Sequence, residues 1–224
     1  AAACAVWCAY MLDLYDTGAD IAQRALRLAE RFGQADVLAN LRTGLSFCQA
    51  SRGFLNDADA AAEQAIVDAQ RFGAPDLVPM ARAGLMIAAQ GRGDPELLRT
   101  RLADLDATPL PEFGWWRRAI LTTRTRVAAM LGMPEPCPEL LGEPRDAMSA
   151  MRYADAALVT AAMGEPGAAR SLISEGIAIA EEQQSRGQRA MLETTLAEIL
   201  MRSGDLDRSR TLLRSAQQVF EEIG

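Results

Sequence analysis

A repeat with a period of 40 residues constrains this chain more than any other feature of its sequence. Residues 21–33 return as residues 61–73, and both copies end on Arg-Phe-Gly. Further along, residues 164–182 align with residues 204–222 at the same step. Periods of about 20–50 residues are typical of repeat proteins, in which each repeat buries its apolar face against its neighbours. The sequence therefore predicts a stacked array of similar units.

Each repeat is expected to consist of two antiparallel helices, a helix A followed by a helix B. Small and apolar residues recur at helical spacing in helix B of the first copy, for example at Ala22, Leu26 and Ala29. Glycine falls where helices should stop, as in Phe32-Gly33. The phenylalanine of this pair is expected to pack against the stack.

The same signals predict eleven helices and almost no strand. Asp94, which stands between a glycine and a proline, is expected to cap the helix that follows it. The predicted helices cover approximately residues 1–15, 18–32, 35–51, 57–72, 76–91, 95–106, 113–131, 146–163, 166–185, 188–203 and 205–222. Because neighbouring helix pairs must cover one another, the predicted fold is all-α, a right-handed superhelical solenoid of antiparallel helix pairs.

The period is interrupted in the middle of the chain. Residues 132–144 are rich in proline, which indicates a loop. Only Glu139-Leu140-Leu141 stands where a helix should follow, so the third repeat is expected to have lost or shortened a helix. We predict a single solenoid over residues 1–224, with a soft boundary at 132–146 between an N-terminal block (1–131) and a C-terminal block (147–224).

Composition excludes several functions. The chain has no histidine, which removes the imidazole base of Ser-His-Asp and Cys-His catalysis. Its formal net charge is −7, so no overall positive field attracts nucleic acid. No apolar run approaches the ~20 residues of a membrane span, and the phosphate loop G-x-x-x-x-G-K-[ST] is absent. We therefore expect a non-catalytic protein with no cofactor and no metal, and the sparse cysteines favour the cytoplasm.

The predicted helix pair resembles the tetratricopeptide repeat. The resemblance rests on Gly84-Leu85 in the middle of helix A and on Ala62, Ala65 and Ala69 of helix B. The longer form, with the pattern ALxxAxxFG and a Gly-Asp pair before the next helix B, is similar to the C-terminal arms of large bacterial ATP-dependent regulators. These include LuxR-type activators and adenylate-cyclase-like proteins. The resemblance implies a sensor arm that binds a small ligand or a protein partner and controls an ATPase switch and an output domain elsewhere.

The first candidate site involves two arginines at equivalent positions of successive repeats. Arg42 and Arg82 should project from the same face, where two guanidinium groups suit a carboxylate or a phosphate. Leu45 and Leu85 are expected in the same apolar groove. The alternative is that each arginine pairs with an acid of its own or the next repeat, for example Asp36, Asp59 or Asp76.

The second candidate site combines aromatic and basic residues on one predicted helix. Its members are Trp115, Trp116, Arg117, Arg118, Arg124 and Arg126. Adjacent residues of a helix point in different directions, so one tryptophan is expected to point away from the other and to anchor a partner. The alternative is that the tryptophans fill the gap left by the shortened third repeat. Stacking on nucleic acid would use the same residue types, but the surrounding acidity disfavours it.

These observations predict a ligand- or protein-binding segment of a larger bacterial regulator of transcription or signalling. Its groove is expected to take a protein, a peptide or a small effector, with no direct nucleic-acid or membrane partner. A free-standing adaptor is the first alternative and an enzyme domain a remote one. A homodimer through terminal helices is a further prediction, because the last helix carries Leu212, Leu213, Val219 and Phe220.

Overall fold

The structure is a computed structural model that describes residues 1–34, 37–112, 114–136, 141 and 149–223. In chain order its helices are α1 (Ala2–Met11), α2 (Tyr15–Arg31), α3 (Leu38–Ser51), α4 (Leu55–Arg71), α5 (Val78–Arg92), α6 (Pro95–Asp106), α7 (Trp115–Met130), α8 (Ser149–Ala162), α9 (Pro166–Glu182), α10 (Arg186–Arg202) and α11 (Leu206–Ile223). A short 3₁₀ helix at Pro75–Leu77 lies between α4 and α5. The described residues contain no strand, which confirms the all-α prediction for that part of the chain. None of these helices is both long enough and apolar enough to cross a membrane.

The helix boundaries follow the 40-residue period. α4 begins and ends 40 residues after α2, and α11 begins 40 residues after α9. The bounds of α6 agree with the predicted residues 95–106. Asp94 caps α6 as predicted, because its side chain accepts hydrogen bonds from the backbone N–H groups of Glu96 and Leu97.

The first helix is shorter than predicted. It ends at Met11 and not near residue 15, and α2 already begins at Tyr15. Between them Asp13 has a left-handed φ of 60°, a conformation that an α-helix does not accommodate. Aspartate is one of the few residues other than glycine that adopts this conformation readily, so the sequence contains the break without a glycine to announce it.

The phenylalanines after α2 and α4 do not pack against the stack as predicted. Gly33 and Gly73 have φ values of 67° and 70° and end these helices in the expected way. However, Phe32 is 68% exposed and Phe72 is 38% exposed. In each case the guanidinium group of the preceding arginine lies over the ring, 5.7 Å and 5.2 Å from its centroid. A cation–π contact thus replaces burial in the core.

The chain divides into two compact units, and the N-terminal unit is Ala1–Val127. In this unit α1 to α6 pack in sequence, each of α1 to α5 on the helix that follows it, and the A helices α1, α3 and α5 also pack on one another in order. Glycine allows the close approach, since a Cβ at Gly44 would lie 2.6 Å from Val6 Cγ1, and one at Gly84 would lie 2.7 Å from Ser46 Oγ. Ser46 stands 40 residues after Val6, so the α3–α5 contact repeats the α1–α3 contact.

The C-terminal unit is Ala128–Gly224. Within it α8 packs on α9, α9 on α10 and α10 on α11, and α8 also contacts α10. A Cβ at Gly176 would lie 2.7 Å from a methyl group of Leu192, so glycine again marks a close approach. Its buried core consists of Ala150, Ala154, Ala157, Ala169, Ile173, Ile179, Ala180, Leu192 and Ile199.

The interrupted region lies mostly outside the described residues. Of residues 137–148, only Leu141 is described. The shortened helix at 139–141, the soft boundary at 132–146 and the single solenoid over 1–224 therefore remain predictions.

Candidate ligand-binding site

Arg42 is held by two carboxylates from the B helices on either side of α3. Its Nη2 donates a hydrogen bond to Glu30 Oε1 of α2 at 2.7 Å, and its Nε lies 2.8 Å from Asp68 Oδ2 of α4. Asp68 is buried and also accepts a hydrogen bond from Gln64. The alternative prediction of an arginine–acid pair holds for Arg42, but the acids differ from the candidates named. Asp59 instead pairs with Arg92, and Asp36 lies outside the described residues.

Arg82 has neutral partners instead. Its Nη1 donates hydrogen bonds to the backbone oxygen of Asp104 and to Thr108 Oγ1. Within the described part of the chain no carboxylate forms an ion pair with Arg82, and neither Asp59 nor Asp76 does so. The guanidinium charge of Arg82 is therefore hydrogen-bonded but not neutralised.

The 40-residue period explains this difference directly. Thr108 stands at the position that Asp68 has one repeat earlier, and Gln70 stands at the position of Glu30. Both carboxylates that neutralise Arg42 thus have uncharged counterparts in the next repeat, whereas the acid Asp104 stands at the position of Gln64 and accepts from Arg82 through its backbone oxygen. The arginine is retained while its partners change.

A pocket of about 210 Å³ opens beside Arg82, between α4, α5 and α6. Its lining residues are Glu63, Ile66, Arg82, Leu85, Arg101 and Asp104. Arg101 Nη2 lies 3.5 Å from Glu63 Oε1, and its buried Nε has no hydrogen-bond partner. Two guanidinium groups, two carboxylates and two aliphatic side chains therefore line one small space, in which the guanidinium groups can hold an anionic group and the aliphatic side chains an apolar one.

The structure separates the residues of the first candidate site. Arg82 and Leu85 line the pocket, whereas Arg42 does not. Leu45 is half-buried and packs on the apolar cluster formed by α1, α2 and α3. A clamp shared by the two arginines is not present at this pocket, because Arg42 is engaged one repeat earlier by its own acids.

The two tryptophans of α7 stack on each other and do not point apart as predicted. Their ring centroids lie 4.1 Å apart at an interplanar angle of 26°. Trp7 of α1 meets Trp115 at 5.4 Å and Trp116 at 5.0 Å, both edge-to-face. Trp7 itself is buried and donates a hydrogen bond from Nε1 to Asn40 Oδ1 at 2.9 Å. Side chains as long as tryptophan bend toward a common neighbour even when their Cα positions diverge, so these rings form one aromatic cluster.

The basic residues of α7 are engaged within the N-terminal unit. Arg124 Nε donates to Asp106 Oδ1 at 2.7 Å, and its Nη2 lies 3.4 Å from the other carboxylate oxygen. Arg117 donates to the backbone oxygen of Pro111 at 3.4 Å. Arg118 is half-buried on the same helix. These basic residues thus lie on one helix, and these acceptors of Arg117 and Arg124 belong to the same unit.

Burial keeps three ionisable groups neutral near the aromatic cluster. It raises the pKa of the Cys48 thiol to about 12, although nearby Arg52 opposes the shift. It also raises the pKa values of the Tyr10 and Tyr15 hydroxyls well above their ordinary value. Tyr15 donates a hydrogen bond to Asp13 Oδ1 at 2.8 Å. These groups resist ionisation because water is excluded from them.

Sequence reasoning did not identify four residues of the pocket, namely Glu63, Ile66, Arg101 and Asp104. Arg101 has no counterpart in the preceding repeat, where the equivalent residue is Ala61, so the period alone does not point to it. The loss of the acid at Thr108 is visible in the sequence and would have singled out Arg82. Comparison with known proteins adds no assignment, since no protein-family model matches the chain and no curated protein is significantly similar to it.

Proposed function

We propose that this chain is a non-catalytic, ligand- or protein-binding segment of a larger bacterial regulator of transcription or signalling, built as a TPR-like solenoid and working in the cytoplasm. The pocket beside Arg82 is the observation that carries the proposal, because it joins an un-neutralised cation to apolar walls in a space open to a ligand. The likeness of the repeat to the sensor arms of ATP-dependent regulators supports the same role.

The residues of the pocket favour binding over catalysis. They are arginines, aliphatic side chains and two carboxylates, with no serine, cysteine or threonine nucleophile among the lining residues. Guanidinium groups hold anions well but do not exchange protons near neutral pH, since their pKa is above 12.

A free-standing adaptor is the second candidate, and exposed aromatic side chains favour it. Phe32, Phe54 and Phe72 are 68%, 49% and 38% exposed, and each carries an arginine over its ring. Phe32 and Phe72 are separated by the repeat period, so the same group is presented twice. Aromatic and arginine side chains are enriched at the centres of protein interfaces, which makes this series suitable for a protein partner.

The proposal is tested by thermal denaturation of the intact 224-residue chain against pools of small metabolites, nucleotides and peptides. A ligand that binds only the folded state raises the unfolding midpoint, and the rise continues logarithmically once its concentration exceeds Kd. We expect at least one pool to raise it, and the Arg82→Gln variant to lose the response. A midpoint unchanged by every pool would reject the sensor role, and partner capture through the phenylalanine series would then test the adaptor.

A further inference from the structure

We infer that the pocket beside Arg82 binds a monoanionic carboxylate carried on a short aliphatic group. This inference rests on the proposed binding function and names its ligand class. Arg82 supplies the charge for the carboxylate, with Arg101 in the same pocket, and Ile66 and Leu85 supply the apolar surface for the aliphatic group.

The two repeats differ in the charge of the groups that hold their equivalent arginines. Arg42 forms ion pairs with Asp68 and Glu30, so an added anion would have to displace a carboxylate that is already in place. Arg82 is held by a carbonyl and a hydroxyl group, which orient the guanidinium without cancelling its charge. A carboxylate ligand therefore occupies the electrostatic role that Asp68 fills one repeat earlier, with no acid to displace from Arg82.

The second arginine adds to this preference. Arg101 Nε is buried without a hydrogen-bond partner, and the side chain meets Glu63 only at 3.5 Å. Glu63 is 61% exposed, so it can move into solvent when the ligand enters.

Size and rim charge limit the ligand further. A pocket of about 210 Å³ is smaller than the roughly 300–1,000 Å³ typical of drug-sized ligands, which favours a small acid over a nucleotide. Glu63 and Asp104 also line it, so a doubly charged phosphate meets more repulsion than a singly charged carboxylate. Aliphatic surface from Ile66 and Leu85 then favours a branched-chain acid over acetate.

The ligand class is tested by calorimetric titration of the intact chain with 4-methylpentanoate. The matched neutral probe is 4-methylpentanamide, which keeps the shape and removes the charge, and inorganic phosphate tests a different anion. We expect the amide and phosphate to bind at least about tenfold more weakly than the acid, because a hydrogen bond to a charged group is the stronger kind. An N-acetylated peptide ending in leucine shows whether the carboxylate of a peptide terminus is accepted as well as that of a free acid.

Two variants and one control variant test whether the acid binds beside Arg82. Thr108→Asp gives Arg82 the acid that Arg42 has, and we expect it to weaken binding of 4-methylpentanoate at least about tenfold while the fold is retained. Thr100→Asp adds the same charge within α6, the helix that precedes Thr108, but Thr100 does not line the pocket, so the affinity should stay within about twofold. Arg82→Gln should weaken binding as much as Thr108→Asp does.

These experiments distinguish a wrong ligand class from a wrong binding function. Equal binding of the acid and the amide, or undiminished binding by Thr108→Asp, would overturn the carboxylate assignment. If no acid binds but another compound from the pools raises the unfolding midpoint and loses its effect in Arg82→Gln, the ligand class is wrong and the binding function stands. If neither the acid nor any pool binds, both are rejected.

Discussion

Arg42 and Arg82 are the same residue in two successive repeats, yet they have opposite electrostatic surroundings. Arg42 is enclosed by Glu30 and Asp68, whereas Arg82 is bound by the hydroxyl of Thr108 and a backbone carbonyl. The helices that carry them occupy equivalent places in the packing. Changing the partners of a retained arginine thus converts a structural ion pair into a group that is available to a ligand, without altering the fold around it.

The largest expected effect on stability follows from removing Asp68, the acid that pairs with Arg42. Asp68→Ala leaves the mostly buried Arg42 with Glu30 alone and removes the acceptor of Gln64, so we expect the free energy of unfolding to fall by about 2–3 kcal/mol. The equivalent change, Thr108→Ala, removes a hydrogen bond from the Arg82 guanidinium and one to the backbone oxygen of Asp104, but Arg82 keeps that oxygen as an acceptor, so the change should cost about 1–1.5 kcal/mol. Urea denaturation of both variants measures the difference. Equal losses would show that the two arginines are not held differently.

The next effect compares the close contacts of the same two helices. Gly44→Ala places a methyl group 2.6 Å from Val6 Cγ1, in a buried and stiff β-branched side chain, whereas Gly84→Ala meets the Ser46 hydroxyl at 2.7 Å. That hydroxyl has no hydrogen-bond partner and can rotate away. Since alanine gains up to about 1 kcal/mol of helix propensity over glycine, we expect a net loss of about 1–2 kcal/mol for Gly44→Ala and almost none for Gly84→Ala. Thermal unfolding midpoints check this order, and a larger loss for Gly84→Ala would contradict it.

The helix bounds of the two repeats were predictable from the sequence, whereas the contacts between helices were not. Periodicity and glycine positions gave the helices, including α6 to the residue, because these signals act within a few residues of the chain. The equivalence of Arg42 and Arg82 was also visible in the period. The identity of the acid on Arg42 was not, since Asp68 comes from the following helix and only packing brings it near.

The aromatic cluster is a second case in which a contact between distant helices was not predictable from the sequence. The stacking of Trp115 on Trp116 depends on Trp7, which lies in the first helix and far away in sequence. No helical periodicity relates α1 to α7, so an argument from adjacent positions predicted divergent rings. Asp13 ended α1 early for a comparable reason, because its left-handed backbone conformation is only one of several open to an aspartate.

At alkaline pH the two repeats should differ slightly in how much stability they lose. Cys48 of α3 has a pKa raised to about 12, and its counterpart in α5 is Ala88, which does not ionise. Because the folded pKa is raised, the neutral thiol contributes its full stability below the ordinary pKa of about 9.0 and loses it as the pH rises toward 12. At pH 10 the loss is on the order of 1 kcal/mol.

The Cys48→Ala variant isolates this contribution, since it gives α3 the residue that α5 already has. Between pH 8 and pH 10, urea denaturation of Cys48→Ala should show a decline in stability that is smaller than that of the unmodified chain by about 1 kcal/mol. The hydroxyls of Tyr10 and Tyr15 remain in both proteins, and their pKa values are raised chiefly by burial, with Cys48 a smaller cause. An unchanged decline would mean that the thiol is not the group responsible.

The smallest expected effect is a gain in stability from giving the second repeat the acid of the first. Thr108→Asp places a carboxylate beside Arg82, and a partly exposed ion pair of this kind stabilises by about 0.5–1 kcal/mol. A double-mutant cycle with Arg82→Gln isolates the pair from other consequences of either change. The gain should disappear in the Arg82→Gln background and diminish at high salt. A gain that survives without Arg82 would show that the added carboxylate acts on residues other than Arg82. The two arginines would then not differ in whether their charge is compensated.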